Sequence, residues 1–332
     1  MAAGDFPGLD AAEPAEPIAE IEAEIERMLD AEPAPARPGR VRRFYGSLDG
    51  YEAALEDRFA GLDLRGKRIM LDCANGATYE VAPAVFRRLG AHVEVMGAEP
   101  DGRNINAGCG STHVDALAAA VREGGHDAGF AFDGDGDRVL AVDRHGVVVD
   151  GDELIALAAL HLGVPGVAVT VMTNYGFHTG MRAAGIEVVT TDVGDRYVLE
   201  ALRERGWMLG GEQSGHIIEM SFVPSGDGIA AALLTLEALG DGDLADRHAM
   251  EKLPQRLVNV RLGDRAALER AVRTAGDDIQ RENAALEGRG RVLVRPSGTE
   301  PVVRVMVEAP TAEEADDVCS RLTAAVAAAE RA

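Results

Sequence analysis

Cysteine, aromatic side chains and positive charge are all scarce in this chain of 332 residues. Its three cysteines, Cys73, Cys109 and Cys319, are scattered and form no CxxC pair, which argues against structural zinc and for a reducing compartment. Aromatic content is 4% beside 46% hydrophobic residues, so the cores must be built from Val, Leu, Ile and Ala. Lys and Arg number 33 against 56 Asp and Glu, a net charge of −23. That balance argues against nucleic acid or an anionic membrane as partner, since both are polyanions; a solvated acidic surface accounts for it. No apolar run approaches a membrane span, and the Ala-, Glu- and Pro-rich start does not look like a signal peptide. No GxxxxGK[ST] loop occurs, so nucleoside triphosphate binding is not indicated. The expectation is a soluble, cytoplasmic protein.

What is present is an alternation of strands and helices. After an acidic, proline-punctuated stretch with one helix-like run (17–29), the pattern begins near Lys67. KRIMLDCA, HVEVMG and AGFAFDGD read as buried strands, separated by helices at 79–89 and 114–123, and RVLAVDRHGVVVDGDE as a hairpin around His145 and Gly146. A second unit repeats the rhythm: a helix from Glu153, strand GVAVTVMT, a helix from Gly176, strand IEVVTT, a helix at 196–205, then WMLGGE and HIIEM. A third reads strand QRLVNVRL, helix 265–285, strands GRVLVR and PVVRVMVEA, and helix 312–330. The expected fold is α/β: consecutive doubly wound mixed-sheet domains followed by a smaller α+β C-terminal domain. The expected divisions are 1–43, 44–150, 151–252 and 253–332. Such sheets place ligands at the carboxyl ends of their strands.

Three glycine-bounded loops carry the chemistry. DGDGDR (133–138) sets Asp133, Asp135 and Asp137 at alternating positions, which an extended backbone would turn to one face. Three such charges repel unless a cation lies between them, and a hard divalent ion with oxygen ligands, Mg2+ first, suits them. A plain acidic turn is the alternative; an EF-hand is excluded, because Arg138 and Arg144 stand where Gly and Glu are needed. GEQSGH (211–216) offers Glu212, Ser214 and His216, an acid, a hydroxyl and an imidazole suited to sugar hydroxyls, or else only a hairpin turn. RPSGTEP (295–301) joins Arg295, Ser297, Thr299 and the amide of Gly298, the donors a phosphate dianion needs, with Arg304 as a second fork; a plain turn is again the alternative. Arg196 in VGDRYV either reaches a substrate or is an ordinary surface residue at a helix start. Ser111 or Thr112 is expected to cap a helix beside His113, and Cys73 and Cys109 to be buried small hydrophobes.

Taken in order, these loops resemble the α-D-phosphohexomutase family. LDCANGA (71–77), DGRNINAGCGSTH (101–113), AFDGDGDRV, VGDRYVLE, GGEQSGH, SGDGI (225–229) and RVLVRPSGTEPVVRVMVE extend the match over nearly everything from about Arg43 onward. Gln213, between Glu212 and Ser214, points to the glucosamine branch rather than to mannose or glucose phosphate relatives. The resemblance implies a four-domain enzyme interconverting glucosamine 6-phosphate and glucosamine 1-phosphate, toward cell-wall precursors. A phosphoserine would donate its phosphoryl group, with a sugar bisphosphate as intermediate and activator. By position it implies Mg2+ on Asp133, Asp135 and Asp137, Arg138 beside the phosphoserine, and sugar hydroxyls on Glu212, Ser214 and His216. Gly194, Asp195 and Arg196 would also face the substrate, and Arg295, Ser297, Gly298, Thr299 and Arg304 would hold the non-reacting phosphate. The partner would be a small phosphosugar and the enzyme a monomer or homodimer.

One departure stands out: the family's Ser-His-Asn-Pro type loop is absent from this sequence. A first domain on the order of a hundred residues is thereby expected upstream, with residues 1–43 its tail. The alternatives are a non-catalytic phosphosugar binder, or the same class of enzyme acting on mannose or glucose phosphate.

Overall fold

The structure is a computed structural model describing residues 21, 24–29, 46, 48–263, 265–297 and 300–329. Two compact units divide the chain, 1–47 and 48–332. In the first, residues 24–29 are helical, inside the expected 17–29 run, the rest of which lies largely outside the described residues.

Residues 48–332 carry three sheets. The first has the order β2–β1–β3–β4–β5, built from β1 (Arg68–Asp72), β2 (His92–Met96), β3 (Ala128–Phe132), β4 (Val139–Asp143) and β5 (Val148–Val149). Strands β2, β1 and β3 run parallel, while β3–β4 and β4–β5 pair antiparallel, the latter around Gly146 at φ +81°. Crossover helices α2 (Val81–Arg88) and α3 (Asp115–Gly124) join the parallel strands. Helix α1 (Asp49–Arg58) precedes them, and its Leu55 is fully buried. The second sheet, β7–β6–β8–β9, repeats the design with β6 (Gly166–Thr170), β7 (Glu187–Thr191), β8 (Leu209–Gly211) and β9 (Ile217–Glu219). Its helices are α4 (Gly151–Leu162), α5 (Tyr175–Ala183), α6 (Asp195–Arg205) and α7 (Gly228–Leu239). The third sheet is antiparallel, β10 (Gln255–Arg261), β12 (Val302–Glu308) and β11 (Arg291–Pro296), with α8 (Arg265–Thr274), α9 (Gly276–Ala285) and α10 (Ala312–Ala329).

One apolar core runs through the first two sheets, from Leu55 and Phe59 through Phe86 and Phe130 to Leu234 and Leu244. The C-terminal sheet has its own core of Val303, Val305, Val307, Leu268 and Leu322. Aliphatic residues dominate both, as the shortage of aromatics requires.

Three sequence expectations change. The single helix at 265–285 is two, because Gly276 is a poor helix former and Asp277 and Asp278 favour a fresh N-terminus. Helix α3 begins at Asp115 behind Val114, with no side-chain cap. Ser111 and Thr112 therefore do not cap it; the Ser111 amide donates to Phe132 O at 2.8 Å and Thr112 Oγ1 meets His113 Nδ1 at 3.1 Å. Helix α7 was not foreseen, because IAAALLTLEAL is apolar all round and carries no amphipathic stripe.

Phe130 is fully buried, 5.9 Å from the Phe86 ring centre. Phe130→Ala should cost about 3–5 kcal/mol of stability, read by urea unfolding; a loss under about 1 kcal/mol would mean the site collapses without a cavity.

Candidate functional site

The acidic loop follows β3, where Phe132 pairs with Val139 across a hairpin. Between them residues 134–137 form a bend, with Gly136 at φ +81°, not an extended strand. The carboxylates therefore converge by chain reversal rather than by strand alternation. One oxygen from each of Asp133, Asp135 and Asp137 lies within 4.8 Å of the others. Asp133 is buried, Asp137 half-buried and Asp135 exposed.

Neighbouring segments hold this bend in place. Ala77 N donates to Gly134 O at 2.8 Å, and Gly228 N to Gly136 O at 2.9 Å. A Cβ on Gly76 would lie 2.2 Å from Gly134 O, so LDCANGA can approach only with glycine there. Asp72, fully buried, accepts from Ala74 N (3.0 Å) and Gly110 N (2.7 Å), pinning the LDCANGA and GCGSTH loops together.

The electrostatics are those of an under-compensated anion cluster. Burial, with Asp137 and Asp135 alongside, pushes the Asp133 carboxyl up to about 6. Arg138 offsets this only in part: its amide donates to Asp133 Oδ1 at 3.1 Å, but its Nε stands 3.4 Å from Asp133 and 3.5 Å from Asp137. Asp137 Oδ1 is buried and accepts no hydrogen bond. An all-oxygen donor set that includes a buried carboxylate oxygen accepting no hydrogen bond fits a hard divalent cation. A cavity of about 270 Å³ adjoins the loop, lined by Tyr51, Thr78, Asp135, Asp137, Gly226 and Asp227. Tyr51 Oη donates to both Asp227 oxygens at 2.9 Å, while Asp227 caps α7 through Ala230 N.

The GEQSGH loop meets the acidic loop directly. Arg138 and His216 form an antiparallel backbone bridge, and Val139 N donates to Gly215 O at 3.1 Å. A Cβ on Gly215, at φ +94°, would meet Val139 O at 2.0 Å. His216 is 4% exposed and its Nε2 lies 3.5 Å from Asp137 Oδ2. Glu212 is half-buried, Ser214 exposed. The three therefore do not all project to one side: His216 turns back to the acidic loop. Gly194 N donates to Glu212 Oε1 at 3.2 Å, which brings the VGDRY turn to this loop. Asp195 and Arg196 are exposed, with the Arg196 guanidinium 4.5 Å over the Tyr197 ring.

In the C-terminal sheet, Arg295 and Arg304 stand opposite each other on β11 and β12. Like charges facing across a ladder are unfavourable; Glu300 accepts from Arg304 Nη2 at 3.5 Å, while Arg304 Nε is buried without a hydrogen-bond partner. Ser297 N donates to Val302 O, shaping the turn; Gly298 and Thr299 lie outside the described residues. Arg295 Nη2 rests 3.5 Å from Met172 Sδ, just beyond β6. Sequence reasoning missed Asp152, Asn174 and the Arg291–Glu308 pair behind these loops, because buried polar residues away from glycine-rich turns carry no local signature.

Comparison with known proteins decides the family. The models for phosphoglucomutase/phosphomannomutase alpha/beta/alpha domain II, alpha/beta/alpha domain III and the C-terminal domain match residues 50–146, 150–260 and 257–325. The chain belongs to this family. It is 49% identical to a phosphoglucosamine mutase of Parafrankia sp. (strain EAN1pec), over 94% of this chain and 70% of that protein. It is 47% identical to a phosphoglucosamine mutase of Moorella thermoacetica, over 91% of this chain and 71% of that protein. The fold matches a family protein from Burkholderia thailandensis at TM-score 0.73 and 21% identity, over 94% of this chain and 70% of that one. It also matches Aspergillus fumigatus N-acetylphosphoglucosamine mutase, in complex with GlcNAc-6P and magnesium, at TM-score 0.69 and 22% identity, over 87% and 67%. The α/β architecture expected from the sequence is thus the family's. None of the described helices is long and apolar enough to cross a membrane.

A Cβ on Gly226 would lie 2.3 Å from His216 Nε2 and 2.7 Å from Asp137 O. Gly226→Ala should therefore displace the imidazole and destabilise the fold by about 1–3 kcal/mol. A His216 ring NMR signal identical to wild type would contradict the close approach.

Proposed function

We propose that residues 48–329 bind a phosphohexose and belong to an enzyme that interconverts glucosamine 6-phosphate and glucosamine 1-phosphate. The carrying observation is the backbone bridge between Arg138 and His216, which joins a cluster of three converging carboxylates to a loop of sugar-type donors and acceptors. The relatives near half identity support the amino-sugar substrate, and Gln213 supports it over mannose or glucose phosphate.

The roles follow from the chemistry of each pole. Asp133, Asp135 and Asp137 would hold Mg2+, a choice supported by their oxygen donors and by the magnesium named with the A. fumigatus relative. When bound, that ion neutralises charge on a transferring phosphoryl group. Arg138, at the edge of the cluster, supplies a fixed cation for a phosphoryl oxygen. Glu212 and Ser214 accept from and donate to sugar hydroxyls, with Gly194, Asp195 and Arg196 forming the adjoining wall. His216, held against Asp137, positions the acidic loop. Arg295, Arg304, Ser297, Gly298 and Thr299 hold the second phosphate. A Mg2+-holding acidic loop with Arg138 at one end and an arginine pair at the other suit a bisphosphate intermediate. None of these residues is a phosphoryl donor, so the set accounts for binding and charge neutralisation; the family's phosphoserine would supply the group transferred. We assign the cation loop to residues 44–150, the sugar loop to 151–252 and the phosphate loop to 253–332.

Calorimetric titration of glucosamine 6-phosphate with Mg2+ present tests the reading. Arg295→Ala should weaken binding by about 1.5–3 kcal/mol, the scale of a charged hydrogen bond; unchanged affinity would remove Arg295 from the site. No binding by the wild-type chain would count against the whole reading. Metal dependence has a sign. The Asp133 carboxyl is raised from its ordinary 3.8 to about 6 by burial and its acidic neighbours. Its contribution is therefore complete below the unfolded value and lost as pH rises through the folded one. Relative to Asp133→Asn, the metal-free wild type should lose stability between about pH 4 and pH 7, and millimolar Mg2+ should restore it. A pH-independent difference, indifferent to Mg2+, would contradict the cation site.

A further inference from the structure

The side chain of Gln213 does not join Glu212 and Ser214 at the ligand face. Its Nε2 donates inward, at 3.2 Å, to Oδ2 of Asp152, a residue with no solvent exposure in the first turn of α4. The backbone of the loop is seated on the same turn: Gly151 N donates to Gln213 O at 3.1 Å. A Cβ on Gly151 would lie 2.1 Å from Glu212 O.

From Asp152 the bonding continues away from the ligand. The same Oδ2 accepts from Asn174 N at 2.8 Å. Asn174, also fully buried, caps α5 through Gly176 N and clamps Leu253 twice, accepting from its N–H and donating to its C=O, each at 3.0 Å. Leu253 lies in the segment that leads into β10. One residue on, Tyr175 N donates to Oε2 of Glu308 at 2.8 Å, and Glu308 has no exposure. Arg291 grips Glu308 with two bonds, 2.8 and 3.2 Å, and spends a third, 2.6 Å, on Thr173 O. Arg291 and Arg295 are four residues apart on β11, hence on one face. Arg295 contacts Met172 beside Thr173. The phosphate-loop strand therefore rests on residues 172–175, and those residues hang from the acceptor that Gln213 fills.

The two hydrophobic cores are separate clusters, and this polar seam links elements of both. Polar chemistry at such a seam is directional. A buried network loses more than one bond when a member goes, because each remaining donor or acceptor is left unpaired.

We propose that Gln213 is a positioning residue that couples the sugar loop to the seat of the C-terminal phosphate-binding sheet through the buried chain Asp152, Asn174, Glu308 and Arg291. Filling the loop with ligand then steadies the strand bearing Arg295, and a ligand phosphate on Arg295 steadies the loop in return. The statement about ligand rests on the phosphosugar reading above; the coupling itself does not. Burial, and then Asp150, push the Asp152 carboxyl up to about 7; Asp152→Asn keeps its shape and an acceptor oxygen.

Amide hydrogen exchange on the full chain tests it without ligand. Gln213→Leu should speed exchange at least about fivefold in 251–254 and 291–296, leaving strand β1 unchanged, while Asp152→Asn should stay near wild type. Asn174→Asp, which removes the donor to Leu253 O, should by reciprocity speed exchange in 211–216. Should Gln213→Leu not fold, this second variant decides alone. Changes confined to the mutated loop, or faster exchange everywhere, would overturn the coupling. In a second arm, glucosamine 6-phosphate should slow exchange in 291–296 of the wild type and lose that effect in Gln213→Leu. If the wild type does not bind the probe, the phosphosugar reading fails while the exchange result still decides the coupling.

Discussion

Three carboxylates within 4.8 Å of one another, in a fold that buries one and leaves a buried oxygen of another without a hydrogen bond, are the constraint around which the surrounding chain is arranged. Mutual repulsion would open such a bend. It is held shut by backbone hydrogen bonds from residues 77 and 228, by the hairpin of β3 and β4, and by the bridge from Arg138 to His216. Glycine is required where these segments touch: Gly76, Gly215 and Gly226 each stand where a methyl group would collide with a neighbouring loop. Close backbone approach is thus the means by which five sequence motifs, far apart in the chain, become one wall.

The site has two poles of opposite sign. At the acidic pole three carboxylates crowd beside the guanidinium of Arg138, and at the other the guanidinium groups of Arg295 and Arg304 face each other with Glu300 3.5 Å from Arg304. Each arrangement is unfavourable alone and becomes favourable with its ligand, which is how binding energy is stored in a preorganised site. From Gln213 in the sugar loop a directional chain of hydrogen bonds runs through Asp152, Asn174 and Glu308 toward the strand that bears Arg295.

Much of this was legible in the sequence, for identifiable reasons. The buried strands announced themselves as short Val- and Ala-rich runs, and the loops as glycine with carboxylate or guanidinium. The convergence of Asp133, Asp135 and Asp137 was anticipated on the wrong geometry, since Gly136 turns the chain where alternation was expected. His216 was read with Glu212 and Ser214 as a partner for sugar hydroxyls, but glycine at 226 lets it turn toward Asp137. Helix α7 hid because a helix buried on every side has no polar face to mark its period. Tyr51, Asp152 and Glu308 hid because their partners, Asp227, Gln213 and Arg291, are distant in sequence or framed by no motif.

The most direct test of a single two-poled site uses manganese as a paramagnetic substitute for magnesium, with glucosamine 1,6-bisphosphate as ligand. Phosphorus NMR would report how strongly the ion relaxes each phosphate. One phosphate at the acidic loop and one at the arginine pair predicts strong broadening of one signal and much weaker broadening of the other. Equal broadening of both, or none while ion and sugar are both bound, would contradict the account.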